Sequence, residues 1–446
     1  MRTAPEANGM GEARADTLFA PASGFGRATV AVIRVSGPAA GAVLEALCGP
    51  LPPPRRLSLR TLRDPADGTV LDRALVAYFP GPATYSGEDM AELHLHGGLA
   101  VRTRVLAALA AHPGCRAAGP GDFTRRAVLN GRMDLTEAEG VADLIDAETE
   151  GQRRQALRQL EGSLSRQVAA WRNEAIDCLA AAEAALDFSD EGDVDEAGLD
   201  AALFGRAAAL RDAIGESLAD GRRGERLRDG FWVVLAGEPN AGKSTLLNAL
   251  ARREAAIVSD VPGTTRDAIE VRLDLDGLPV VLVDTAGLRE AHEAVEAEGI
   301  RRSRARIAQA DLVLALVPPG GHPPDLGGAP ALTVHTKADL PGPAPAGLAV
   351  SARTGAGLPG LLDALRARAE EGLGAGDALI TRARHRDALE RCLGHLDRLC
   401  AGAGRGMPEL AAEDLRLAVR ALGEVGGHVG VEDVLDRLFA GFCIGK

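Results

Sequence analysis

Short apolar runs broken by turn residues fill the chain from Asp16 to about residue 130. Ala28–Val35 reads as a strand stopped by Ser36, Gly37 and Pro38, and Val70–Phe79 as a second, closed by Pro80, Gly81 and Pro82. Ala91–His96 alternates apolar and polar positions and ends at Gly97 and Gly98. Helical spacing over Ala39–Leu47 and Val101–Ala111 makes this part an α+β domain. From Met133 the period becomes helical: Leu135, Ala138, Val141, Leu144 and Ile145, then Leu157, Leu160, Leu164, Val168 and Trp171, then Ile176, Leu179 and Ala182. A further helix spans about 197–227. Strand-like runs return at Phe231–Ala236, Leu278–Val283 and Ala331–Val334, and beyond the small-residue stretch Gly372–Gly376 helices resume over Arg382–Leu399, Glu409–Leu422 and Val431–Phe439. The expectation is a multidomain α/β chain in four segments. Residues 1–130 form the α+β domain, 131–227 and 377–446 the two parts of an all-α helical domain, and 228–376 an inserted α/β domain with a mostly parallel sheet and helices on both faces. Insertion at a surface loop is easy when the guest's termini lie close together.

The chemistry concentrates in the third segment. Gly237-Glu238-Pro239-Asn240-Ala241-Gly242-Lys243-Ser244 is a full G-x-x-x-x-G-K-S phosphate loop between a strand-like run and a helical one starting at Thr245. Its glycines let backbone N–H groups curl round phosphates, and the positive end of the following helix adds to the field. Lys243 would reach the β- and γ-phosphates, and Ser244 Oγ would hold Mg2+, with Asn240, Ala241, Gly242 and Thr245 completing the loop. Asp284, Thr285, Ala286 and Gly287 follow the second run. Asp284 suits an outer-sphere Mg2+ contact and the Gly287 N–H a γ-phosphate sensor. Thr264 and Thr265 lie between, where a first switch belongs, and Thr265 is the candidate for the second Mg2+ hydroxyl. Thr336, Lys337 and Asp339 follow the third run. The Asp339 carboxylate can accept from guanine N1–H and the exocyclic amine, whereas adenine would leave it unpaired. Ser351, Ala352 and Arg353 fit the loop that backs the base. Five short motifs in this order, each after a strand-like run, specify a GTPase domain of the P-loop class.

Composition narrows the setting. The chain has 446 residues, 46% hydrophobic and 25% charged, a globular balance. The net charge of −13 argues against nucleic-acid binding by bulk charge. The arginine-rich stretches 221–228 and 382–386 read as solvated helix faces or hinges rather than RNA sites. The acidic run Asp187–Asp195 reads as a solvated inter-helix loop. Six scattered cysteines, Cys443 near the end among them, make no C-x-x-C pair, so a zinc ribbon or disulfide framework is not expected. No run is long enough to span a bilayer and the start lacks a signal-peptide core, so a cytoplasmic setting is expected. His94 and His96 share one strand face; they are a possible metal pair, or structural residues, with no third ligand evident.

Taken together, these residues resemble the MnmE (TrmE) family of tRNA-modifying GTPases. The likeness runs from about Asp16 to the end. It includes Ala31–Gly37, Phe79–Pro82, Ser86–Asp89, His96–Gly98, Pro120–Ala127, Asp284–Glu290 and the terminal Phe442-Cys443-Ile444-Gly445-Lys446. The resemblance implies attachment of a (carboxymethyl)aminomethyl group at C5 of the wobble uridine of certain tRNAs, together with an FAD-dependent partner, MnmG. It implies a 5-formyl- or methylene-tetrahydrofolate donor bound in the N-terminal domain through Arg34, Glu92, Arg132 and Lys446. Cations there can meet the folate glutamate carboxylate, and a carboxylate can pair with the pterin amino edge; Arg34 and Glu92 could otherwise be an ordinary ion pair. It also implies a homodimer through the N-terminal domains and a part for Cys443 in the chemistry. In place of an arginine finger, a K+ ion would be held by Asn240, Ser259, the Val261 carbonyl and Thr264 as two GTPase domains meet. Glu296 matches the water-orienting acid, although residue type alone does not separate it from Glu293 or Glu298.

Two positions depart from the family pattern. Thr336 stands where asparagine is usual. That amide ties the base loop to the phosphate loop and contacts the base, so a hydroxyl is expected to lower nucleotide affinity while Asp339 keeps guanine specificity. Pro262 lies in the K+ loop, where it removes an N–H but keeps a carbonyl. A ribosome-assembly or RNA-binding GTPase is the competing reading. The phosphate loop and switches fit it equally, but the N-terminal domain and the Cys-Ile-Gly-Lys end do not.

Overall fold

The structure is a computed structural model. It describes residues 16–24, 26–187, 196–253, 255–257, 270–284, 305–341, 347–374, 378–401, 408–427, 438–439, 442 and 445. The chain separates into two compact units, Met1–Ala138 with Gly427–Lys446, and Glu139–Gly426.

The first unit is built on β1 (Thr17–Pro21), β2 (Val30–Ser36), β3 (Ser58–Arg63), β4 (Val70–Phe79), β5 (Met90–His96) and β6 (Cys115–Ala117). They form one sheet in the order β3-β4-β5-β2-β1-β6, antiparallel except for the parallel β1–β6 pair. Alternation decides its two faces. Ile33, Val35, Val76, Leu93 and Leu95 point into a core shared with α1 (Ala40–Cys48) and α2 (Leu99–Ala111), where Leu44 and Leu109 meet them. The other face carries Arg34, Glu92 and His94, with Leu59 and Leu75 paired across β3 and β4. A third helix, α3 (Asp122–Leu129), supplies Phe123 to a smaller core with Leu18 and Ala20. Strands β3 and β6 are short and polar, and their apolar alternation is too weak to announce them. His94 and His96 are each set beside a carboxylate: His94 Nε2 lies 3.4 Å from Glu92 and His96 Nδ1 2.7 Å from Asp72.

The second unit holds two cores. After α4 (Leu135–Asp146) and α5 (Glu150–Leu160), the long helices α6 (Ser163–Asp187) and α7 (Glu196–Asp229) precede a second sheet. That sheet contains β7 (Phe231–Ala236), β8 (Glu270–Leu275), β9 (Leu278–Asp284), β10 (Leu312–Val317), β11 (Ala331–His335) and β12 (Leu348–Ala349), with α8 (Lys243–Ala251) and α9 (Leu358–Leu373). Its order is β12-β11-β10-β7-β9-β8, and only the β8–β9 pair is antiparallel. Its central strands are buried apolar runs, as a sheet covered on both faces requires. Helices α10 (Ala383–Cys400) and α11 (Pro408–Gly426) then return to α6 and α7. Trp171, Ala175, Ile214, Leu389, Cys392, Leu415 and Leu422 belong to one core, so helices on both sides of the sheet domain in sequence pack together.

Two expectations change. The spacing Leu157–Trp171 reads as one helix, but Gly162, at φ +77°, ends α5 and lets α6 begin at Ser163. Nor are the arginine-rich stretches solvated throughout: Arg222 and Arg223 are exposed, but the other arginines are drawn into ion pairs. Arg228 and Arg382 both donate to Asp143 Oδ1, at 2.9 and 2.6 Å. Arg384 forks onto Glu139 at 2.5 and 2.7 Å, Arg386 pairs with Glu225, and Arg226 meets Asp311 at 2.6 Å. These charges join the chain on both sides of the inserted domain. Among the described residues, no helix is long and apolar enough to cross a membrane.

Candidate functional site

At the C-terminal end of β7 the chain turns sharply into α8. Asn240 at φ +67° and Gly242 at φ +96° make that turn. A Cβ at Gly237 would sit 2.7 Å from Leu316 O, so only glycine lets the loop lie this close to β10. Lys243 is buried and folds back over the loop, donating from Nζ to Gly237 O at 2.8 Å and Glu238 O at 3.1 Å. Ser244 Oγ donates to Asp284 Oδ2 at 2.6 Å, and β7–β9 pairing sets Leu235 opposite Asp284. A hydroxyl and a fully buried carboxylate at a helix N-terminus are hard oxygen donors, which suit Mg2+.

A cavity of 340 Å³ opens beside this loop, lined by Gly242, Thr245, Leu246, Thr336, Lys337, Asp339, Leu340, Val350, Ala352 and Arg353. Thr336, buried at the end of β11, donates from Oγ1 to Ala241 O at 2.7 Å. The tie between base loop and phosphate loop therefore survives the replacement of asparagine by threonine. Asp339 accepts from Ser351 Oγ at 2.6 Å and from Arg353 Nε at 3.0 Å. The Ser351 hydroxyl, with Arg353 alongside, holds the Asp339 carboxyl below the usual carboxylate range, so it stays an acceptor. Arg353 is mostly exposed and can yield its place to a base.

In the first unit, register places Arg34 opposite Glu92, and Arg34 Nη2 donates to Glu92 Oε1 at 3.1 Å. The guanidinium also lies 5.3 Å from the Tyr85 ring centre. Arg132 donates from Nε to Thr84 O at 3.1 Å, on the residue preceding Tyr85. Gly445 reaches this unit: at φ +102°, a Cβ there would lie 1.9 Å from Pro21 O. Pro21 is paired with Ile33, next to Arg34. Tyr85 also lies at this spot, brought to Arg34 only by packing, whereas strand alternation sets His94 on the same face as Glu92. Ser259, Val261, Pro262, Thr264, Thr265, Thr285, Ala286, Gly287, Glu293, Glu296, Glu298, Cys443 and Lys446 lie outside the described residues, as do 188–195 of the acidic run.

A mostly parallel sheet with a phosphate loop, a hydroxyl–carboxylate pair suited to a divalent ion and an ionised carboxylate in the adjoining cavity define a GTP-binding hydrolase domain of the P-loop class. The chain matches the GTP-binding protein TrmE N-terminus over residues 17–132 and the MnmE helical domain over 135–443. The tRNA modification GTPase MnmE of Methylobacterium radiotolerans is 78% identical over 438 residues, covering 97% of this chain and 99% of that protein. Those of Methylorubrum populi and Rhodospirillum rubrum are 72% and 52% identical, over 97% of this chain and 98% and 99% of theirs. The chain belongs to the MnmE family of tRNA modification GTPases and is itself a GTPase.

Proposed function

We propose that this GTPase acts on tRNA, at C5 of the wobble uridine, with an FAD-dependent partner of the MnmG kind and a folate one-carbon donor, in the cytoplasm. The GTP cycle would be the switch and not the modifying chemistry. The observation carrying the modification reading is the half-buried Arg34–Glu92 pair on the sheet face away from α1 and α2, with Gly445 against the Pro21 backbone on the strand beside it. Arg34 and Glu92, with Arg132 and Lys446, would hold the folate, which would supply the one-carbon unit. Cys443 would take part in the chemistry near the chain's end. Leu57, Leu59, Val70 and Leu75 are exposed on β3, β4 and their approach, an apolar area suited to a homodimer through this domain.

In the GTPase segment, 228–376, between helical segments 131–227 and 377–446, Lys243 would leave the Gly237 and Glu238 carbonyls for the phosphates. Ser244 would offer an oxygen lone pair to Mg2+ while its proton stays hydrogen-bonded to Asp284, with Thr265 as second ligand. Asn240, Ser259, Val261 and Thr264 would hold K+, whose charge would offset that developing between the β- and γ-phosphates. Glu296 would orient the attacking water. Thr285, Ala286 and Gly287 would sense the γ-phosphate. Asp339, Thr336, Lys337, Ser351, Ala352 and Arg353 would surround the base.

The deciding experiment is nucleoside mass spectrometry of tRNA from cells with and without the protein. Loss of the C5 substituent, restored by wild type but not by Cys443→Ser or Asp339→Asn, is the expected result. An unchanged uridine profile would overturn the reading.

A further inference from the structure

We propose that Thr336 leaves N7 of the guanine base unread, so that the base is held by its N1 and exocyclic-amine edge without a donor to its five-membered ring. The inference rests on Asp339 marking the base site, as read above. A threonine hydroxyl has one proton. Here it goes to Ala241 O at 2.7 Å, and because a carbonyl only accepts, the direction of that bond is settled. Thr336 is 6% exposed, so the pairing is shielded from water. What Oγ1 has left is lone pairs, and N7 is itself an acceptor. An asparagine amide has two N–H protons and can hold the loop carbonyl with one and the base with the other. The other side-chain donors lining the cavity are poorly suited to N7. Arg353 is drawn onto Asp339. Thr245 stands beside Ser244 in the first turn of α8, at the phosphate end. Lys337 carries a strongly hydrated ammonium on a flexible stem, a poor partner for a neutral ring nitrogen. Thr336 thus serves as a strap between phosphate loop and base loop, and its single proton decides which edge of the purine is recognised.

The test is equilibrium binding of GTP and 7-deaza-GTP to the full chain, by competition against a fluorescent guanine nucleotide. The wild type is expected to bind the two alike, within about twofold. Thr336→Asn is expected to favour GTP over the 7-deaza analogue by roughly 3- to 10-fold, the effect of one neutral hydrogen bond. A wild-type preference of that size for GTP would overturn the proposal, whichever residue supplied the donor. So would an unchanged ratio in Thr336→Asn. Failure of the base-site reading shows separately: Asp339→Asn should exchange GTP for xanthosine triphosphate, and if it does not, Asp339 does not face the base.

Discussion

Glu139 and His385 are 1% and 0% exposed and lie 2.7 Å apart, with Arg384 forked onto the same carboxylate. Burial alone would raise the Glu139 carboxyl, but His385 and Arg384 outweigh it and hold the group well below the usual range. Burial pushes the His385 imidazole down, against the pull of Glu139. A neutral ring donating from Nε2 fits both, since His385 Nδ1 has no hydrogen-bond partner among the described residues. Glu139→Gln would leave Arg384 with an uncompensated charge and is expected to cost about 3–5 kcal/mol in urea unfolding at pH 7. The pH dependence has one sign. Both groups have folded values below their unfolded ones, near 4.3 and 6.5, so their stabilisation is complete above those values and lost as pH falls. The urea midpoint should drop on acidification from pH 7, and His385→Gln should flatten the part between about pH 7 and 5.5; a variant that keeps the full slope there would show that His385 is not the titrating group. Glu139 and His385 carry no signal of this in the sequence, because they are 246 positions apart. Lys243, Ser244 and Asp339, by contrast, are singled out by the sequence one by one, because phosphate and guanine recognition would call for those types in a set order.

Helices and strands show where periodicity is a sound guide and where it misleads. Along β2 and β5, alternation puts Ile33 and Leu93 inward and Arg34 and Glu92 outward, as the sequence pattern implies. In α5 the buried residues are Gln152, Gln155, Ala156 and Gln159, while Leu157 is half-buried. These glutamines are inside because the amides of Gln152 and Gln155 donate to the α7 backbone at Arg228 O and Gly224 O, at 2.9 and 3.0 Å, and Gln159 accepts from Thr381. An apolar-period reading does not see a polar stripe that is satisfied by a neighbour. Gly445 poses a similar problem: only the space around its Cα reveals that it lies against the Pro21 backbone. Gly445→Ala adds a Cβ to a residue at φ +102° and 1.9 Å from Pro21 O. Strain of about 1–3 kcal/mol there should weaken 5-formyltetrahydrofolate binding by roughly tenfold or more. GTP hydrolysis by the same protein should be unchanged. Equal folate affinity, measured calorimetrically, would separate Gly445 from the proposed folate site.

For the whole molecule, the GTPase cycle is expected to depend on the cation as well as the nucleotide. Asn240 is exposed at the mouth of the phosphate loop and held at φ +67°, where its side chain is available to a monovalent ion. Hydrolysis should run several-fold faster in K+ than in Na+ at equal ionic strength, and equal rates would remove the ion from the mechanism. Under the proposed mechanism, that one observable would join the phosphate loop to a meeting of two GTPase domains, since an ion's charge is useful only once water is excluded.

The sequence by itself determined the class of sheet, the phosphate loop, the order of nucleotide motifs and the interruption of a helical region by a GTPase domain. Each is a local requirement: a period of burial, a glycine at a tight turn, a side-chain type at a fixed offset. Tertiary structure alone decided which arginines were consumed inside the molecule, that Thr336 spends its proton on Ala241, and that Gly445 meets Pro21. Those outcomes depend on distances between groups far apart in the chain. A buried charge or donor must find its partner wherever the fold puts one, and no local pattern records that choice.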